Sequence, residues 1–105
     1  MKTEVELETI SEVSTDTDIK LSAPGLYNVV YINDDVTTME FVVESLKVIF
    51  HHSEETAQDL TVKIHDEGSS VVKTLPYEIA EQKGVEVTVL ARNNGFPLNV
   101  KLEPE

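Results

Sequence analysis

Where the apolar run Tyr31-Ile32 stops, the chain places an amide and two carboxylates in succession, Asn33-Asp34-Asp35, before an amphipathic run opens at Val36-Thr37-Thr38-Met39-Glu40-Phe41. Such a corner gathers acceptors, and acceptors can either cap a turn or hold a cation such as the free ammonium of another chain's N-terminus. The three histidines, His51, His52 and His65, are the remaining side chains with acid–base or ligating chemistry. His51 and His52 are adjacent and therefore point apart, and no His-x-x-x-His pair exists. Carboxylates close to any histidine are expected by chance when Asp and Glu together number 20. The residues therefore give no catalytic constellation, no metal site and no cofactor motif.

The elements around this corner are legible from periodicity. Leu26 to Ile32 is short, β-branched and aromatic, bounded by Pro24-Gly25 and Asn33-Asp34-Asp35, which predicts a central strand. Thr37 followed three places later by Glu40 fits a capping box, and Val42, Val43, Leu46, Ile49 and Phe50 recur on one helical face. These predict a helix from Thr38 to about Phe50. Ser53 with Glu54 and Glu55 predicts a second helix whose buried stripe is Ala57, Leu60, Thr61 and Ile64, stopped by Gly68. Val71-Val72 within Ser69 to Thr74 predicts a short strand, and Pro76 suits the first turn of a third helix. Val85, Val87 and Val89 alternate with Glu86 and Thr88, a period-two pattern that taken alone argues for a strand. Asn93-Asn94-Gly95 and Pro97 mark a boundary, and Leu98, Val100 and Leu102 alternate as a last strand.

With 105 residues the chain has room for one core. A net charge of −12, with 8 Lys and Arg against 20 Asp and Glu, repels phosphate backbones and anionic membranes. No apolar run approaches the ~20 residues of a membrane span, and the acidic N-terminus is unlike a secretory signal. The expectation is a cytoplasmic protein without nucleic-acid or membrane partners. The absence of cysteine leaves packing alone to hold the fold. Residues 1–24 are acidic, rich in Ser and Thr and free of aromatics, a composition that predicts a mobile extension; 25–105 forms the domain.

The pattern Val-Val-Tyr-Ile-Asn-Asp-Asp-x-Thr-x-Met-Glu-Phe-Val over 29–42, with His65, Gly68 and the closing Pro97-Leu98, resembles the ClpS family of bacterial proteolytic adaptors. The resemblance covers about Leu26 to Leu102. It implies a small α+β domain, with three helices packed on one side of a three-stranded antiparallel sheet, in which the third helix runs through Gly84 to about Asn93. The implied activity is not enzymatic. ClpS proteins bind N-degrons, proteins that begin with Leu, Phe, Tyr or Trp, and hand them to a ClpA- or ClpC-type AAA+ unfoldase for degradation by ClpP.

Carried over by the resemblance, Asn33, Asp34, Asp35 and His65 hold the α-amino group, with His65 neutral so that its ring nitrogen accepts. Thr37, Met39, Val42, Thr61 and Leu98 line the pocket for the first side chain, with Met39 as the gatekeeper against β-branched residues. Glu78 and Lys83 match the segment that docks on the unfoldase, and the extension matches tails that modulate delivery. The main departure is Thr61, where the family often places Met or another large apolar residue, so a roomier and more polar wall is expected. Val36 and Thr38 stand where an aromatic residue and a proline are common. The competing readings are another interaction module of the same architecture, such as the C-terminal domain of the bacterial ribosomal stalk protein, and an N-degron-binding inhibitor of Clp proteolysis. The joint presence of Asn33, Asp34, Met39 and His65 favours the adaptor.

Overall fold

The computed structural model describes residues 25–105; the extension expected over 1–24 lies outside the described residues. The order is β1 (Leu26–Ile32), α1 (Met39–Val48), α2 (Glu54–Glu67), β2 (Ser69–Pro76), α3 (Tyr77–Asn93) and β3 (Asn99–Pro104). The sheet runs β2-β1-β3 with both pairings antiparallel. β1 takes the middle because it is the most β-branched and aromatic strand, and its alternate residues Val29 and Tyr31 are fully buried beneath the helices. Across β3 they stand opposite Leu102 and Val100, which pack against the same core.

A buried phenol needs a partner. Tyr31 Oη lies 2.8 Å from Ser45 Oγ, and Ser45 Oγ in turn donates to the Val42 carbonyl at 2.9 Å. Burial pushes the Tyr31 phenol well above its ordinary range, with only partial opposition from the Ser45 contact, so it stays protonated and donates. This chain ties the central strand to the middle of α1, where Val42, Leu46, Ile49 and Phe50 form the expected apolar stripe.

β2 carries a bulge. Val29 pairs with Lys73 but Val30 pairs with Val71, so Val72 is an additional residue. The added residue resets the alternation, and both Val72 and Leu75 reach the core. Its carbonyl accepts a hydrogen bond from His52 Nε2 at 2.7 Å, which gives that histidine a structural task. The neighbouring His51 is exposed, with φ of 61°, in the left-handed turn that closes α1, where the His52 N–H reaches back to the Leu46 carbonyl at 3.1 Å.

Three element boundaries differ from the local expectation. The cap of α1 is Thr38, whose Oγ1 accepts from the Phe41 N–H at 3.2 Å, and not Thr37, whose hydroxyl is drawn to Asp34 instead. The helix ends at Val48, short of Phe50, whereas β2 continues past Thr74 to Pro76, which precedes the first turn of α3. The Val85 to Val89 segment lies within α3, as the family resemblance implies and against its period-two pattern taken alone. Only Val87 of the three is buried, while Val85 and Val89 are more than half exposed. The face of α3 turned inward is Ala80, Val87 and Ala91, with Gly84 on the same stripe, so small residues at helical spacing rather than the valines fix its seat.

A Cβ at Gly84 would sit 3.8 Å from Val100 Cγ1 and 4.0 Å from Leu102 Cδ2, ordinary van der Waals contact. Gly84→Ala should therefore raise stability by about 0.5–1 kcal/mol through lower backbone entropy of the unfolded chain. Urea unfolding checks this, and a lower midpoint would show that α3 needs the glycine for closer packing.

Candidate functional site

Asp34 builds the corner between β1 and α1. Its Oδ1 accepts from the Val36 and Thr37 N–H groups at 2.8 and 2.7 Å, and its Oδ2 accepts from the Thr37 hydroxyl at 2.7 Å. Partial burial works against ionisation, but the hydrogen bonds from Thr37 and Val36, with the Arg92 charge, outweigh it and hold the carboxyl below its ordinary range. Most of its acceptor capacity is thus spent on the turn, and one lone pair of Oδ2 remains.

A second chain reversal meets this corner. α2 ends at Gly68, whose φ of 90° is a left-handed conformation that glycine adopts without strain. Its carbonyl accepts from the Asn33 N–H at 2.9 Å. The bond brings the last turns of α2 against the corner, and Thr61, Ile64 and His65, spaced three and four apart, fall on the face that meets it.

Between the two lies a cavity of about 350 Å³. Of the residues singled out from the sequence it brings together Asn33, Asp34, Asp35, Thr37, Met39, Val42, Thr61 and His65, and it is also lined by Val36, Thr38 and Ile64. Asn33, Asp35 and His65 are exposed at its polar side, whereas Val42, Thr61 and Ile64 are buried, at 6%, 3% and 2% exposure, and make an apolar floor. Met39 is 44% exposed and stands at the rim. The lining carries two carboxylates and neither Lys nor Arg, a field that favours a cationic group.

Thr61 Oγ1 donates to the Ala57 carbonyl at 2.7 Å. Its polarity is consumed inside the helix, so what sets this wall apart from one made by Met is chiefly room. Ile64 reads as plain core from its stripe position, although its place three residues after Thr61 is the signal that points to the cavity. Leu98 is buried directly before β3 and belongs to the core cluster with Val42, but it is not among the lining residues. Glu78 lies exposed in the first turn of α3, and Lys83 is half-buried with its Nζ 3.7 Å from Glu86 Oε1, both outside the cavity. Among the described residues no group of three or more His, Asp or Glu is disposed to hold a metal ion, and no helix is long and apolar enough to cross a membrane.

The fold and cavity define a small α+β domain with an acceptor-rich rim over an apolar floor, on the scale of a single side chain and a charged group. The model of the family described as "ATP-dependent Clp protease adaptor protein ClpS" matches residues 22–101. The chain is similar to the ATP-dependent Clp protease adapter protein ClpS of Nautilia profundicola, 45% identical over 86 residues, 82% of this chain and 89% of that protein. It is also similar to the protein of the same name from Campylobacter jejuni subsp. jejuni serotype O:23/36, 44% identical over 82% of this chain and 90% of that protein. Among solved structures, "The structure of Agrobacterium tumefaciens ClpS2 bound to L-phenylalaninamide" aligns with a TM-score of 0.75 and 44% identity, over 78% of this chain and 99% of that one. The chain belongs to the ClpS family of Clp protease adaptors.

Because the folded state depresses the Asp34 pKa, its carboxylate contributes stability that is present above the ordinary carboxyl range and is lost as pH falls below about 4. Asp34→Ala should be less stable than the parent at neutral pH, and the gap should narrow in acid. Urea unfolding at both pH values tests this; an equal gap at both would mean that the charge is not what holds the turn.

Proposed function

We propose that this protein is a non-enzymatic adaptor that captures proteins beginning with Leu, Phe, Tyr or Trp and delivers them to a ClpA- or ClpC-type unfoldase for degradation by ClpP. It acts in the cytoplasm as a monomer, with residues 25–105 as the binding domain and 1–24 modulating delivery. The carrying observation is the pairing, in one cavity, of acceptors at the rim with a buried apolar floor. L-phenylalaninamide, bound by the Agrobacterium relative, offers a free ammonium and one apolar side chain, the two features this cavity complements.

An ammonium has three donors and one charge. Asn33 supplies an amide oxygen, Asp35 and the remaining lone pair of Asp34 supply negative charge, and neutral His65 supplies a ring nitrogen, directly or through water. The first side chain enters between Met39, Val42, Thr61 and Ile64, with Thr37 beside the rim and Leu98 backing the core behind the wall. Met39 at the rim excludes β-branching close to the backbone, while its thioether yields to planar or γ-branched groups. Glu78 and Lys83 on α3 are the proposed contact with the unfoldase, on a surface apart from the cavity.

Fluorescence anisotropy with a labelled Leu- or Phe-initiated peptide, free and acetylated, is the direct test. Tight binding of the free terminus and its loss on acetylation are expected, with no binding of a Val-initiated peptide; equal binding of both forms would overturn the reading. His65→Ala should weaken binding of the free peptide while the fold stays intact, since it removes the ring nitrogen that accepts from the ammonium. In Thr61→Met the wall regains bulk, and the preference should move from Trp and Tyr towards Leu. Unchanged ranking in a panel of first residues would show that Thr61 does not shape the pocket.

A further inference from the structure

The last turn of α3 carries Arg92, a place where a cation meets the helix C-terminus. Its Nη1 donates to two main-chain carbonyls beyond the helix, Phe96 O at 3.0 Å and Leu98 O at 2.9 Å. The guanidinium therefore straps down the connection from α3 to β3. That connection reaches the binding cavity by two routes. The Phe96 ring packs against Phe41 at 5.1 Å between centroids, and Phe41 is the residue whose N–H the α1 cap Thr38 receives. Leu98 is buried in the cluster that includes Val42 and Ile64, the floor of the cavity.

We propose that Arg92 is a positioning residue for amine capture: its guanidinium fixes the Phe96–Leu98 segment against the first turn of α1 and steadies the Asp34 corner that faces the substrate's N-terminus. This rests on the reading of the cavity as an N-terminal amine site. Arg92 is not among the residues that line the cavity. Its charge nonetheless reaches the corner, where burial works against the Asp34 carboxylate and the hydrogen bonds from Thr37 and Val36, joined by Arg92, overcome it. The other titratable groups of the lining are Asp35 and His65. A lysine would keep the charge, but its ammonium ends one bond short of the Nη1 that serves both carbonyls and lacks the planar guanidinium that aims two N–H groups at them.

The experiment compares the parent with Arg92→Met and Arg92→Lys in two measurements on folded protein. The first is anisotropy with a free and an acetylated Phe-initiated peptide, corrected for the folded fraction; the second is a carboxyl-carbon NMR titration of Asp34. Arg92→Met should bind the free peptide about tenfold more weakly, the scale of one charge-assisted contact, and should raise the Asp34 midpoint. Arg92→Lys should restore the midpoint while recovering only part of the affinity. An Arg92→Met protein that matches the parent in either measurement overturns the proposal, since a purely structural strap would lower thermal stability without moving the titration. Should Arg92→Met fail to fold, Arg92→Gln keeps an amide NH2 for the carbonyls, removes the charge and is judged by the same two outcomes. Absence of binding by the parent itself would instead sink the adaptor reading and leave the titration to decide the role of Arg92 at the corner.

Discussion

One main-chain hydrogen bond, from the Asn33 N–H to the Gly68 carbonyl at 2.9 Å, joins the β1–α1 corner to the α2–β2 turn. Everything in the cavity depends on it. On one side Asp34 folds the β1–α1 corner around its own carboxylate. On the other, the left-handed turn at Gly68 sends the chain from α2 straight into β2, whose first residue Ser69 pairs with Ile32. Residues more than thirty positions apart are brought to a common rim because the two strands are hydrogen-bonded neighbours, and their flanking helices must start and stop at the same end of the sheet.

The cavity divides its labour by depth. Groups that carry charge or lone pairs, Asn33, Asp35 and His65, remain exposed, where solvent keeps their desolvation cost small. Apolar groups, Val42 and Ile64, lie beneath them and merge with the core. Thr61 sits at the same depth only because its hydroxyl finds the Ala57 carbonyl one turn back, which is how a β-branched polar residue can stand in an apolar wall without an unsatisfied group. The same solution recurs deeper, where Tyr31 and Ser45 satisfy each other and end on a helix carbonyl.

Histidines show how context assigns a role to one chemistry. His52 anchors the β2 bulge through Val72, His51 occupies a left-handed turn in solvent, and His65 alone of the three lines the cavity. Their order along the chain gives no hint of this division. Arg92 makes the same point from the other direction, since a last-turn cation that looks like a helix-dipole partner spends its donors on a loop that backs the site.

Several features were determined by the sequence alone: β1, the Ser53 cap, the Gly68 stop and the helical stripe of α1 all rest on local chemistry that neighbours in the chain decide. So did membership of the family, because the Asn-Asp-Asp corner, Met39, His65 and Gly68 recur as a spaced set. What tertiary structure decided is where local rules compete. Val85 to Val89 has the period of a strand, yet Ala80, Gly84, Val87 and Ala91 can lie flat on β1 and β3 only as a helix, and burying that stripe outweighs the propensity of exposed valines. Thr37, with Glu40 three places on, is the better cap on paper; Asp34 takes its hydroxyl, Thr38 caps the helix instead, and the helix starts one residue later. Leu98 reads as pocket from its motif and Ile64 as core from its spacing, but which of them reaches the cavity is set by how α2 and the α3–β3 connection pack, and no local pattern records that contact.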